Sequence, residues 1–251
     1  MLEDKVVIVT GGGRGLGQAY AVEAARLGAK VVAGDVLDCG ETIRLIEADG
    51  GQAIGLELDV TKMGTVSAMA ESAVEAFGGI NVLINNAALY GGLTGGRFNQ
   101  LDEDEWDRTM DVNVKGIWNC CKAAVPHMQT AGGGSIINVA SLAATYGLPY
   151  ALHYTTSKAA VIGMTRALAR ELGRSDIRVN AIAPTAVVTE GTAEFFGDKM
   201  DGAMDVIKND QSLKRNAHPT DMIGTVMWLA SGTSGFVTGQ TIAIDGGTVL
   251  S

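Results

Sequence analysis

The chain has 251 residues, 47% hydrophobic and 19% charged, enough for a globular domain with a sizeable core. A formal charge of −9 argues against a nucleic-acid or anionic-membrane partner, and no stretch approaches the roughly 20 apolar residues of a membrane span. Three cysteines (Cys39, Cys120, Cys121) and three histidines (His127, His153, His218) show neither a disulfide framework nor metal-ligand spacing, so a metal-free protein in a reducing, cytoplasmic setting is expected.

Residues 5–10 (KVVIVT) form a short apolar run rich in β-branched side chains, as in a strand buried on both faces. A glycine turn follows at 11–17 (GGGRGLG), then a helix over 18–27 stopped by Gly28. Strands at 30–35, 53–59 and 81–85 alternate with helices at 39–48 and 63–77, each helix closed by a glycine pair. The second half predicts helices over 101–111 and 114–128, a strand over 135–140, a helix over 154–172 and a strand over 177–183. An irregular, substrate-covering loop at 185–213 precedes a helix over 219–230 and a last strand over 241–245. This alternation predicts an α/β fold: one domain over 1–251, a doubly wound, Rossmann-type parallel sheet with helices on both faces.

A buried strand, a glycine turn and a helix in that order is the context of a dinucleotide site. Gly11, Gly15 and Gly17 let the turn tighten and the backbone approach a pyrophosphate at the helix N-terminus, with Arg14 and Leu16 beside them. Asp35 ends the second strand about 20 residues on, where a carboxylate accepts hydrogen bonds from ribose hydroxyls and repels a 2′-phosphate. NAD is therefore favoured over NADP, although Arg14 pulls weakly the other way. Tyr154 and Lys158 stand one helical turn apart, so the ammonium is expected to lower the phenol's pKa toward a general acid–base role. Ser141 follows the fifth strand, at the edge where such sheets bind ligands, and can hold a substrate oxygen near Tyr154.

Over nearly its whole length the chain resembles the classical short-chain dehydrogenase/reductase family. The resemblance rests on Thr10-Gly11-x-x-x-Gly15-x-Gly17, Asn85-Asn86-Ala87, Ser141-x12-Tyr154-x3-Lys158, Val179-Asn180, Pro184, Thr189 and Asp245-Gly246-Gly247. It implies a catalytic tetrad of Asn113, Ser141, Tyr154 and Lys158, with Asn113 positioning a relay water and Lys158 also binding the nicotinamide ribose. It places Asp59 and Val60 at adenine, Asn86 and Ala87 at ribose, and Val187 and Thr189 at the carboxamide; Pro184 and Tyr154 also border the cofactor. It implies a homotetramer built on the helices near 113–128 and 154–172 and the last strand. Two departures, Ala88 and Thr185, stand where the family usually has glycine, which bears on loop geometry and not on a catalytic group.

Candidate substrate contacts are Leu142, Ala143, Tyr146, Leu148, Tyr150, His153 and the stretch 189–204, opposite a flexible 91–96. With no lysine or arginine cluster, a small to medium, mostly apolar secondary alcohol or ketone, cyclic or aryl-substituted, fits best. The alternatives are a 3-oxoacyl-thioester reductase, whose usual NADPH Asp35 disfavours, a sugar or polyol dehydrogenase, and a non-catalytic NAD sensor, against which the complete tetrad argues.

Overall fold

The computed structural model describes residues 1–250. Seven strands, β1 (Val6–Thr10), β2 (Lys30–Asp35), β3 (Gln52–Glu57), β4 (Val82–Asn85), β5 (Gly134–Val139), β6 (Ile177–Pro184) and β7 (Thr241–Ile244), form one sheet. Every pairing is parallel, in the order β3-β2-β1-β4-β5-β6-β7. The first half carries α1 (Gly15–Arg26), α2 (Gly40–Ala48) and α3 (Met63–Phe77); α4 (Glu103–Met110) and α5 (Gly116–Thr130) lead into β5.

Side chains alternate across a strand, and that alternation builds two cores. In β1, Val6 and Ile8 enter the cluster with Val66, Met69, Ile117 and Met128, while Val7 and Val9 enter the opposite one with Tyr20, Ala24, Val226 and Leu229. Both faces of β1 are dry, which is why its sequence is an unbroken apolar run. The strand order reverses beside β1, between β2 and β4, and the loops leaving β1 and β4 part there to open a crevice at the strands' carboxyl ends.

Several predicted bounds agree to the residue: β2, α3 and α10 (Pro219–Ala230). Their ends carry explicit chemistry. Gly78 takes φ +87° after α3, while Pro219 opens α10 and Asp221 accepts the His218 N–H at 2.9 Å. Elsewhere the structure corrects the sequence. The helices expected at 101–111 and 114–128 are one continuous rod, joined through a five-residue π-helical turn, Asp111–Lys115. The helix expected from 154 begins at Leu152, so α7 (Leu152–Leu172) holds His153 and Tyr154 in its first turn.

The larger correction is 185–213, which is not irregular. It folds into α8 (Glu190–Phe196), capped by Thr189, and α9 (Met200–Asp210). Both lie over the cleft instead of packing flat on the sheet, and only Thr192 and Met204 in them are buried, so neither carries the apolar stripe of a core helix. A further short helix, α6 (Ala143–Tyr146), follows Ser141. Among the described residues no helix is long and apolar enough to cross a membrane.

Candidate active site

The crevice is a cavity of about 770 Å³. Gly11, Arg14, Gly15 and Leu16 floor it after β1, Asp35 closes one end after β2, and Asp59, Val60, Asn86 and Ala87 follow from β3 and β4. Ser141, Ala143, Tyr154, Lys158, Pro184, Val187 and Thr189 line its other half.

The glycine turn is held by its neighbours. Thr10 Oγ1 accepts the N–H groups of Asn86 and Ala87 at 3.1 and 3.0 Å, and Asn86 Nδ2 donates to the carbonyls of Thr10 and Gly11 at 3.1 Å each. Gly11 needs φ +67°, and a Cβ on Gly17 would stand 1.9 Å from the Gly11 carbonyl oxygen. Helix α1 therefore meets the turn at a distance only glycine permits, and its N-terminus faces the cavity. Asp35 accepts the Gly13 N–H on Oδ2 at 2.9 Å and the Leu37 N–H on Oδ1 at 3.1 Å. Each oxygen keeps a further acceptor site for a ligand hydroxyl. The Arg14 guanidinium forms a fork with Glu194 on α8, 2.5 and 2.8 Å.

At the other end, Ser141, Tyr154 and Lys158 line one wall of the cavity, and Ser141 Oγ accepts the Ala143 N–H at 3.1 Å. Lys158 Nζ donates to the Val139 carbonyl at 2.8 Å and lies 5.7 Å from the Tyr154 ring centre. Burial pushes the phenol above its usual range, with the nearby Tyr90 adding to the shift and the Ser141 hydroxyl opposing it. Burial pulls Lys158 down to about 8. This corrects the expectation that Lys158 depresses the phenol. Keeping the phenolate out of water is the dominant cause of the upward shift.

Asn113 is fully buried, off the cavity wall. Its Oδ1 accepts the Leu89 N–H at 2.7 Å, and its Nδ2 donates to the Leu89 carbonyl at 3.2 Å and to Ser157 Oγ at 3.1 Å. The side chain thus ties the π-helical turn to the loop after β4 and to α7. Of the substrate candidates, Leu142, Ala143, Tyr146 and Leu148 line the cavity, but Tyr150 and His153 do not. The Tyr150 side chain is exposed, on a backbone at φ +63°, and His153 is wholly buried against Glu105. The imidazole follows the backbone of the helix's first turn inward, while the tyrosine ring after it faces the cleft. Ala88 and Thr185 are both outside the left-handed region, so their Cβ atoms strain neither loop.

Sequence reasoning missed Tyr90. Its ring packs against Tyr154 with centres 5.1 Å apart and stacks on Phe195 of α8 at 4.7 Å. The signal available was scarcity: of only five tyrosines, Tyr90, Tyr146 and Tyr154 share one wall.

A family model described as "Enoyl-(Acyl carrier protein) reductase" matches residues 11–249. The 3-oxoacyl-[acyl-carrier-protein] reductase of Thermotoga maritima is 37% identical over 251 residues, covering 99% of each chain. The carveol dehydrogenase of Mycobacterium avium, solved with NAD, superposes with a TM-score of 0.94 at 28% identity, over 100% of this chain and 99% of that one. A putative NAD(P)-dependent gluconate 5-dehydrogenase from Beutenbergia cavernae, with NADP bound at low occupancy, gives 0.91 at 33%, over 100% and 98%. The family model spans nearly the whole chain and the Thermotoga relative is 37% identical over 99% of it, so the chain is an oxidoreductase of the short-chain dehydrogenase/reductase family.

Proposed function

We propose that the protein is an NAD-dependent dehydrogenase/ketoreductase that interconverts a secondary alcohol and a ketone, with a small to medium, mostly apolar, cyclic or aryl substrate. One observation carries the substrate class. Among the described residues, the cations on the cavity wall are Lys158, beside the phenol, and Arg14, paired with Glu194. Leu89, Tyr90 and Leu148 pack with Tyr154, and Leu142, Phe196 and Ile207 also line the cavity. Such a wall gains by covering rings or alkyl chains and offers no clamp for a carboxylate or phosphate.

The residues fit a dinucleotide. The turn excludes any Cβ at Gly17, Gly15 at φ +58° leaves the helix N-terminus open, and Asp35 has acceptor sites to spare. When bound, the nicotinamide supplies the hydride acceptor or donor. The chain does the rest. Ser141 orients the substrate oxygen, Tyr154 takes or gives its proton, and Lys158 holds positive charge beside the phenol. Asn113 positions the Leu89 loop, while Asp59, Val60, Asn86 and Ala87 border the adenosine half, and Pro184, Val187 and Thr189 the nicotinamide half.

Asp35 is assigned the choice of NAD over NADP. Asp35→Ala should lower the ratio of kcat/KM for NAD to that for NADP by about 10–100-fold, as expected for losing hydrogen bonds to a charged group. A ratio unchanged within a factor of about two would remove Asp35 from that role. The alternative, a 3-oxoacyl-thioester reductase like the Thermotoga relative, would show NADPH-linked turnover confined to acyl thioesters. Assembly as a homotetramer through α5, α7 and β7 belongs to the same proposal. The exposed Trp118 on α5 and Phe236 before β7 support it, and a stable monomer by gel filtration would refute it.

A further inference from the structure

His153, set aside as a substrate contact, sits in an unusual arrangement one residue before Tyr154. Its Nδ1 accepts the Tyr154 backbone N–H at 2.9 Å, and its Nε2 lies 3.1 Å from Glu105 Oε1. A nitrogen that accepts an N–H cannot carry its own proton, so the proton sits on Nε2 and is donated to Glu105. The Tyr154 N–H belongs to the first turn of α7, where backbone donors have no partner within the helix. The imidazole supplies that partner. Glu105 Oε1 also accepts the Thr94 N–H at 2.7 Å, and the Glu105 N–H is held by Asp102 at 2.8 Å.

The same two partners are tied a second time. Asn113 grips Leu89 at the other end of the 89–94 loop and bonds Ser157, three residues after Tyr154. Two buried polar bridges therefore run from the α4–α5 rod to the loop and to α7, one on each side of Tyr154. The loop between them carries Tyr90, the ring packed on Tyr154. Such fully satisfied polar links fix a geometry that apolar packing alone leaves loose.

We infer that His153, held by Glu105, is a positioning residue for Tyr154: it locks the backbone of the acid–base tyrosine and couples it to the loop that forms the substrate wall. This rests on the reading of Tyr154 as the acid–base group. The link is selective, since neither Glu105 nor His153 touches the glycine turn or Asp35. Losing it should disturb the phenol's aim and spare cofactor binding, and misplacing a reacting group by about 1 Å can cost as much as 10²-fold in rate.

The test combines tautomer, exchange and kinetics. In ¹⁵N-histidine-labelled wild type, His153 should show a single neutral tautomer protonated on Nε2. His153→Ala should lower kcat at least about tenfold, with the NADH dissociation constant changed by less than about threefold. His153→Asn, whose Oδ1 takes the place of Nδ1, should recover most of that loss. His153→Gln, which can still reach Glu105 but has no acceptor beside the Tyr154 amide, should not, and it serves if the alanine variant does not fold. Tyr154 amide exchange should be slow in wild type and the Asn variant and fast in the Ala and Gln variants. An Nδ1-protonated tautomer, or a Tyr154 amide unaffected by His153→Ala or His153→Gln, would overturn the inference even if no substrate is turned over, which separates its failure from that of the proposed activity. A kcat unchanged in His153→Ala or His153→Gln would overturn it as well.

Discussion

Tyr154→Phe is expected to lower kcat by about 10²–10⁴-fold while leaving NADH affinity within about threefold. The phenol shares the cavity wall with Ser141, and the Lys158 ammonium lies 5.7 Å from its ring centre. Its ring packing on Tyr90 survives in phenylalanine, so the loss isolates the hydroxyl. The direction of each pH profile follows from the two shifts. Burial keeps the phenol protonated at neutral pH, and Lys158, pulled down to about 8, is still mostly an ammonium there. That ground state is set to donate a proton, which ketone reduction requires. Alcohol oxidation needs one proton fewer on the pair, so its rate should climb as pH rises through about 8, while reduction should fall over the same range. Stopped-flow measurement of the hydride step across pH checks both. Profiles with the opposite slopes would contradict these assignments.

Gly17→Ala should weaken NADH binding roughly 5–150-fold, the equivalent of about 1–3 kcal/mol of forced backbone movement. A Cβ there meets the Gly11 carbonyl oxygen at 1.9 Å and Asn86 Nδ2 at 2.6 Å. The first is backbone, so no side-chain rotation relieves it. The second is the amide that holds the Thr10 and Gly11 carbonyls, so the turn and its clamp move together. Gly64→Ala is the matched control. Gly64 lies in α3 with open space around its Cβ, and alanine there should leave binding unchanged and favour the helix by up to about 1 kcal/mol. Fluorescence titration with NADH reads both variants. Equal affinities would mean the turn tolerates a side chain and that its closeness to α1 has no bearing on the cofactor.

Where an element's purpose is to bury apolar surface against the sheet, the amino-acid sequence shows it directly. The continuous run in β1, the glycine after α3 and the proline at the head of α10 each record one local cause. The glycine-turn end of the cleft was legible for a related reason: close backbone approach at Gly11 and Gly17 and a carboxylate at the end of β2 leave fixed spacings. The cover over 185–213 was not. Thr192 and Met204 are the only buried residues of its two helices, and the apolar side chains Phe196, Ala203, Val206 and Ile207 are turned to a cavity, so no core periodicity marks them. His153 was misplaced because adjacency to Tyr154 says nothing of direction; only the fold brings Glu105, 48 residues away, to its Nε2. The balance of shifts at Tyr154 and Lys158 was also hidden, because spacing gives their proximity but not how thoroughly both are taken out of water.

We propose that this cleft oxidises an apolar secondary alcohol with NAD through Tyr154. The direct measurement is the absorbance change at 340 nm when purified protein meets NAD or NADP with aryl, cyclic, aliphatic and polyol secondary alcohols, in wild type and in Tyr154→Phe. NAD-linked turnover concentrated on cyclic or aryl alcohols and abolished in the variant is the expected result. Turnover that prefers NADP, or that persists in Tyr154→Phe, would contradict the account.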